Sequence, residues 1–182
     1  MNNDIFDLTG KRALVVGGAS GLGRAMARGL AGAGSAVAIL DLSFQGAKEA
    51  AAELGRLGTT SIALPVDVTD YAAVDIAIRD ATESLGGLDI AVNAAGIADP
   101  RPEDTTPEAV WERIIGVNLT GTYYCCQVES EAMKPCKGGR ILNVASMSSH
   151  VVNRFPRELV PESRQLGLFP YCSAKAGIRQ LT

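Results

Sequence analysis

The chain has 182 residues, with 17 Lys plus Arg against 20 Asp plus Glu and 47% hydrophobic residues. That length suits one sizeable α/β domain over residues 1–182, and a mean hydropathy of +0.13 suits a packed core. A net charge of -3 without long runs of either sign argues against a nucleic-acid-binding face. No apolar run approaches the ~20 residues that span a bilayer, and Met1 to Asp7 has no basic residue. The expectation is a cytoplasmic protein with no membrane partner. Cys125, Cys126, Cys136 and Cys172 lack the paired spacing of a zinc site, so reduced thiols and no metal are expected.

Taken in chain order, Ala13 to Val16 reads as a strand that enters a glycine cluster, and Arg24 to Ala33 as a helix packed on a sheet. Ala36 to Leu40 is a second strand ended by Asp41, followed by a helix from Phe44 to Leu57 with Gly58 as its stop. Ser61 to Val66 is a third strand. Thr69 and Asp70 cap a helix to about Leu85, which Gly86-Gly87 breaks before a fourth strand from Leu88 to Val92. Thr106-Pro107 opens a helical pattern that runs to about Met133, and Arg140 to Val144 is a fifth strand. Residues 147–169, with Pro156 and Pro161, read as irregular, and Pro170 opens a last helix from Tyr171 to Thr182. Five strands alternating with helices predict a doubly wound parallel sheet of Rossmann type.

Gly17-Gly18-Ala19-Ser20-Gly21-Leu22-Gly23 lies between the first strand and the first helix, where the chain turns sharply and a pyrophosphate can approach backbone N–H groups. Asp41, 18 residues after Gly23, ends the second strand. A carboxylate there accepts hydrogen bonds from ribose hydroxyls and repels a 2′-phosphate, and Ser20 is not basic, so NAD is expected rather than NADP. The plain alternatives are a tight turn without a ligand and a helix-capping carboxylate.

These motifs, with Asp67-Val68 after the third strand and Asn93-Ala94-Ala95-Gly96 after the fourth, resemble the short-chain dehydrogenase/reductase family in order and context. The resemblance implies that Asp67 and Val68 contact the adenine and that the Asn93 segment lines the cofactor and braces the sheet. Val16 stands where the family usually has threonine. Its loss removes one turn hydrogen bond, worth about 1 kcal/mol net, and weaker ordering of the turn is expected.

Tyr171 and Lys175, four apart on a predicted helix, rise from one face, and an ammonium beside a tyrosine hydroxyl favours the phenolate. By the resemblance Tyr171 is the acid/base, Lys175 tunes it and holds the ribose, Ser146 after the fifth strand binds the substrate oxygen, and Asn118 holds a water that connects Lys175 to solvent. The implied activity is hydride transfer between NAD(H) and a secondary alcohol or ketone. Ser146-Met147-Ser148 followed by Val152-Asn153-Arg154 is similar to sugar- and polyol-dehydrogenase members. His150, the only histidine, reads as a loop residue rather than a catalytic one.

Two departures stand against this pattern. The 24 residues between Ser146 and Tyr171 exceed the family's usual spacing, and relatives continue with a sixth and seventh strand after the tyrosine helix. The expectation is therefore a fold truncated at its C-terminus. Relatives dimerise through the helices that carry Asn118 and Tyr171 and form tetramers through the region beyond, so a homodimer is expected, and a tetramer were the C-terminus complete. The competing expectation is a catalytically silent NAD-binding or interaction protein.

Overall fold

A computed structural model of the chain describes residues 5–98, 106–151 and 162–182. Five strands form one parallel sheet in the order β3-β2-β1-β4-β5: β1 Arg12–Val16, β2 Ala36–Asp41, β3 Ser61–Pro65, β4 Ile90–Asn93 and β5 Arg140–Asn143. The expected Rossmann-type sheet is present. β1 is central because Ala13, Leu14, Val15 and Val16 are apolar on both faces and all are buried. Its register sets Val16 beside Leu40 on one side and Asn93 on the other, which brings the C-terminal ends of β1, β2 and β4 to one rim.

Helices cover both faces. α1 (Gly21–Gly32) and α2 (Phe44–Gly55) lie on one, and α1 approaches the sheet closely because its inward residues, Gly23, Ala27 and Ala31, are small. Ser43 caps α2, its Oγ accepting from Gly46 N–H at 3.3 Å. α3 (Tyr71–Leu85) lies on the other face. Asp70 alone is its N-cap, accepting from Ala72 and Ala73 N–H, and Gly86 at φ +77 closes it. α4 (Pro107–Ile115) starts at a Thr106 cap and runs through a π-helical turn, Gly116–Thr120, into α5 (Gly121–Met133). The single helix expected from Thr106 to Met133 is thus interrupted by a turn that carries Asn118.

Two expectations about the last third change. A 3₁₀ turn, Met147–Ser149, follows β5, and α6 runs from Glu162 to Leu181 with Pro170 inside it rather than at its start. Proline removes one helical hydrogen bond, yet Pro170 is buried and α6 packs against α4, the π turn and the 3₁₀ turn, so tertiary packing overrides the local stop signal. Residues 152–161 of the expected irregular stretch lie outside the described residues.

Candidate functional site

The rim where β1 feeds α1 and the strand order reverses between β1 and β4 holds a cleft of about 430 Å³. A sheet of this kind places its ligands there, because the loops leaving β1 and β4 run in opposite directions and open a crevice. Gly17, Ser20, Gly21, Leu22 and Gly23 form one wall, Asp41 and Leu42 an edge, Asp67 and Val68 another, and Ala94, Ala95 and Gly96 the floor.

The glycines are there for distinct reasons. A Cβ on Gly17, at φ +79, would lie 2.6 Å from Ala95 Cα, and one on Gly23 would strike the Gly17 carbonyl. Gly21 has nothing within 4 Å of its Cβ position but sits at φ +52, so it supplies the left-handed turn and leaves space open toward the cleft. No side chain caps α1, whose N-cap is Ser20, and its first turn carries no acidic residue. Its N-terminal N–H groups therefore suit an anion.

Asp41 sits between the two β–α turns. Its Oδ2 accepts from Ala19 N–H at 3.0 Å and its Oδ1 from Ser43 N–H at 2.9 Å. With Gly17 N–H donating to Leu40 O at 2.7 Å, these bonds fasten the glycine turn to the end of β2. The turn is thus held by backbone and Asp41 contacts although Val16, buried in the sheet, offers no hydroxyl. A pyrophosphate with its ribose fits this wall: the cradle is one that side chains would fill, the donors are uncapped, and a carboxylate stands at the sugar end.

Asp67 is exposed, its Oδ1 accepting from Thr69 N–H and Thr69 Oγ1. Val68 is buried, and a Cβ on Gly121 would stand 2.7 Å from its Cγ2, so α5 starts in close contact with it. The Asn93 segment divides the two roles expected of it. Ala94, Ala95 and Gly96 line the cleft, but the Asn93 side chain donates to Glu129 Oε2 at 2.9 Å and Asn143 Oδ1 at 3.0 Å, and so braces the sheet.

The deep end of the cleft reaches Ile97, Val117 and Val144. Asn118 is fully buried there, accepting from Ile97 N–H at 3.0 Å and donating to Ile97 O at 2.7 Å and Ile114 O at 3.0 Å. Its amide thereby positions the segment after Gly96. Lys175 is 4% exposed and donates from Nζ to Val144 O at 2.6 Å, with Nζ 5.8 Å from the centre of the Tyr171 ring. Burial holds the Lys175 ammonium below the usual lysine range. A Cβ on Gly96 would lie 2.5 Å from Asn118 Oδ1 and 3.5 Å from Lys175 Nζ, so the three residues converge.

Ser146 and Tyr171 are both half-buried, carried by the 3₁₀ turn and by α6, which pack on each other. Neither forms part of the cleft lining. Ser146 caps the 3₁₀ turn, its Oγ accepting from Ser148 N–H at 3.1 Å. A hydroxyl that accepts there keeps its own hydrogen to donate. His150 is exposed, its Nδ1 2.9 Å from Ser149 Oγ.

Sequence reading missed Leu42, Val66, Ile97, Arg113, Val117 and Val144 in the cleft lining. Arg113 and Val117, one helical turn apart, share a face, but nothing local aimed that face at the cleft.

Residues 11–182 match the short chain dehydrogenase family. The chain belongs to that family. The chain is 31% identical over 180 residues to the 5-keto-D-gluconate 5-reductase of Escherichia coli (strain K12), covering 99% of this chain and 66% of that protein. It is 38% identical over 146 residues to the D-threitol dehydrogenase of Mycolicibacterium smegmatis, covering 80% of this chain and 56% of that one. A short-chain type dehydrogenase/reductase from Mycobacterium marinum superposes with a TM-score of 0.86 at 34% identity, over 98% of this chain and 69% of that structure. The match thus covers 56–69% of the length of these three relatives. No described helix is long and apolar enough to cross a membrane.

Proposed function

We propose that residues 1–182 form a single dinucleotide-binding domain of a cytoplasmic, NAD-dependent oxidoreductase that interconverts a secondary alcohol and a ketone, with a polyol or sugar as substrate. The observation that carries it is the Gly17–Gly23 cradle, tied to Asp41 through Ala19 at the crossover of the sheet. The α1 N-terminus holds the pyrophosphate, Asp41 accepts from the adenosine ribose and disfavours a 2′-phosphate, and Asp67 and Val68 hold the adenine. When bound, the nicotinamide supplies a two-electron hydride acceptor or donor. The relatives named for 5-keto-D-gluconate and D-threitol support a polyhydroxylated substrate.

Ser146 donates its hydroxyl hydrogen to the substrate oxygen and orients it. Tyr171 moves the proton on and off that oxygen. Lys175, fixed by Val144 O, stands over the Tyr171 ring and holds the nicotinamide ribose. Asn118 fixes Gly96 and Ile97, the floor beside Lys175, while its own carbonyl takes the Thr122 hydroxyl at 2.7 Å. Trp111 and Tyr123, each nearly half exposed on α4 and α5, support a homodimer through that side.

A second reading rests on the cleft lining, which includes neither Ser146 nor Tyr171: a catalytically silent NAD-binding protein. Fluorescence titration with NADH, combined with absorbance assays of NAD reduction on polyols and secondary alcohols, separates the two. Turnover that disappears in Tyr171→Phe supports the oxidoreductase. Binding without turnover supports the silent protein, and no binding overturns both.

A further inference from the structure

On the α3 and α5 side of the sheet, Glu129 of α5 is completely buried beneath the ends of β4 and β5. Its Oε2 accepts from Asn93 Nδ2 at 2.9 Å, and no described cation pairs with it. The other hydrogen of that amide goes to Asn143 Oδ1 at 3.0 Å, and Asn143 Nδ2 donates to Thr182 Oγ1 at 3.0 Å. Two buried atoms are left over among the described contacts: Glu129 Oε1 and Asn93 Oδ1. Both are acceptors if Glu129 is ionised, and a buried acceptor without a donor is costly.

We propose that Glu129 is a positioning residue that carries a proton on Oε1 and pairs head to head with the Asn93 amide, locking the ends of β4 and β5. In that pair Asn93 Nδ2–H donates to Oε2 while Oε1–H donates to Asn93 Oδ1, which satisfies both leftover atoms with one proton. Loss of the proton sets two acceptors against each other in a buried site.

The consequence reaches the cleft through the backbone. Asn93 immediately precedes Ala94, Ala95 and Gly96, and its carbonyl accepts from Val144 N–H at 2.9 Å. Val144 in turn holds Lys175. Burial pushes the Glu129 carboxyl up to about 7, so the pair changes state near neutrality. The titratable groups beside it on α5 are the Cys125 and Cys126 thiols, both raised by burial. β4, β5 and α6 present the side chains of Asn93, Asn143 and Thr182, which are uncharged. The charged groups of α3 nearest α5, Asp75 and Arg79, pair with each other at 2.8 Å in a groove on the other side of α5.

The test compares the full chain with Glu129→Gln, whose amide makes the same two bonds and does not titrate. Infrared spectra of the wild type should show a protonated-carboxyl band that bleaches as pH rises through neutrality and is missing in E129Q. The effect on the cleft rests on the dinucleotide reading: the wild-type Kd for NADH should rise by up to about tenfold per pH unit above neutrality, while that of E129Q stays flat. A carboxyl band without NADH binding supports the pair and overturns the dinucleotide reading. An ionised Glu129 throughout, or an E129Q protein that keeps the wild-type pH response, overturns the pair.

Discussion

Asp41 accepts the Ala19 N–H at 3.0 Å, so the carboxylate at the edge of the cleft also fastens the glycine turn that forms its wall. Asp41→Ala should then lose twice. Hydrogen bonds to a charged group are worth about 1.5–3 kcal/mol, which corresponds to roughly 10- to 100-fold weaker NADH binding. The preference for NADH over NADPH should shrink in the same variant, because the repulsion of the 2′-phosphate goes with the charge. Parallel fluorescence titrations with the two cofactors check both effects.

Gly17→Ala and Gly21→Ala should fail differently. The first drives a methyl group into the backbone of Ala94 and Ala95 and should lower the melting temperature as well as abolish NADH binding. The second meets open space and costs about 1–2 kcal/mol for the left-handed backbone. G21A should therefore remain folded by circular dichroism while binding NADH at least tenfold more weakly, because its methyl group enters the space left for the ligand.

Tyr171→Phe should reduce turnover by roughly 10²- to 10⁴-fold with little change in NADH affinity, the usual scale for removing an acid/base group. Lys175→Met should weaken both, since it leaves Val144 O without its 2.6 Å donor as well as removing the charge over the tyrosine ring. Steady-state kinetics beside NADH titration separate the two variants.

Stability should peak in mildly acid solution. The Arg12 guanidinium, by hydrogen bonding, holds the Asp89 carboxyl below its ordinary range, so that contribution is present above the usual carboxylate pKa and is lost as pH falls. Glu129 acts in the opposite sense: its folded pKa is raised from 4.5 to about 7, so stability is undiminished below 4.5 and is lost as pH rises toward 7. The loss is on the order of 3 kcal/mol. Urea unfolding from about pH 2 to pH 8 checks the shape, and the neutral limb should flatten in E129Q.

Arg12 separates folding from binding. Its guanidinium reaches both Asp89 oxygens, at 2.7 and 3.0 Å, and Gly86 O, at the end of β1 remote from the cleft. Arg12→Lys should destabilise the fold by about 1–3 kcal/mol through loss of the forked contact, with NADH affinity unchanged. Chemical denaturation and fluorescence titration, run on the same variant, make the comparison.

Apolar runs and turn residues by themselves determined the five strands, their order along the chain, and the helices between them, because runs such as Ala13 to Val16 have no stable exposed state. The glycine motif and Asp41 were legible for the same local reason: a β–α turn that admits a phosphate constrains its own residues. Contacts between distant segments were decided only in three dimensions. The motif implies that the Asn93 segment braces the sheet but not through which partner: Asn93 turns to Glu129, 36 positions away, and Glu129 looks like any polar helix residue until α5 lies on β4. Pro170 signals a helix start locally, but packing against α4 and the π turn carries α6 through it. Local sequence fixes what a segment can form by itself. Which face it buries, and therefore which carboxyl loses its water, depends on partners that only the folded chain supplies.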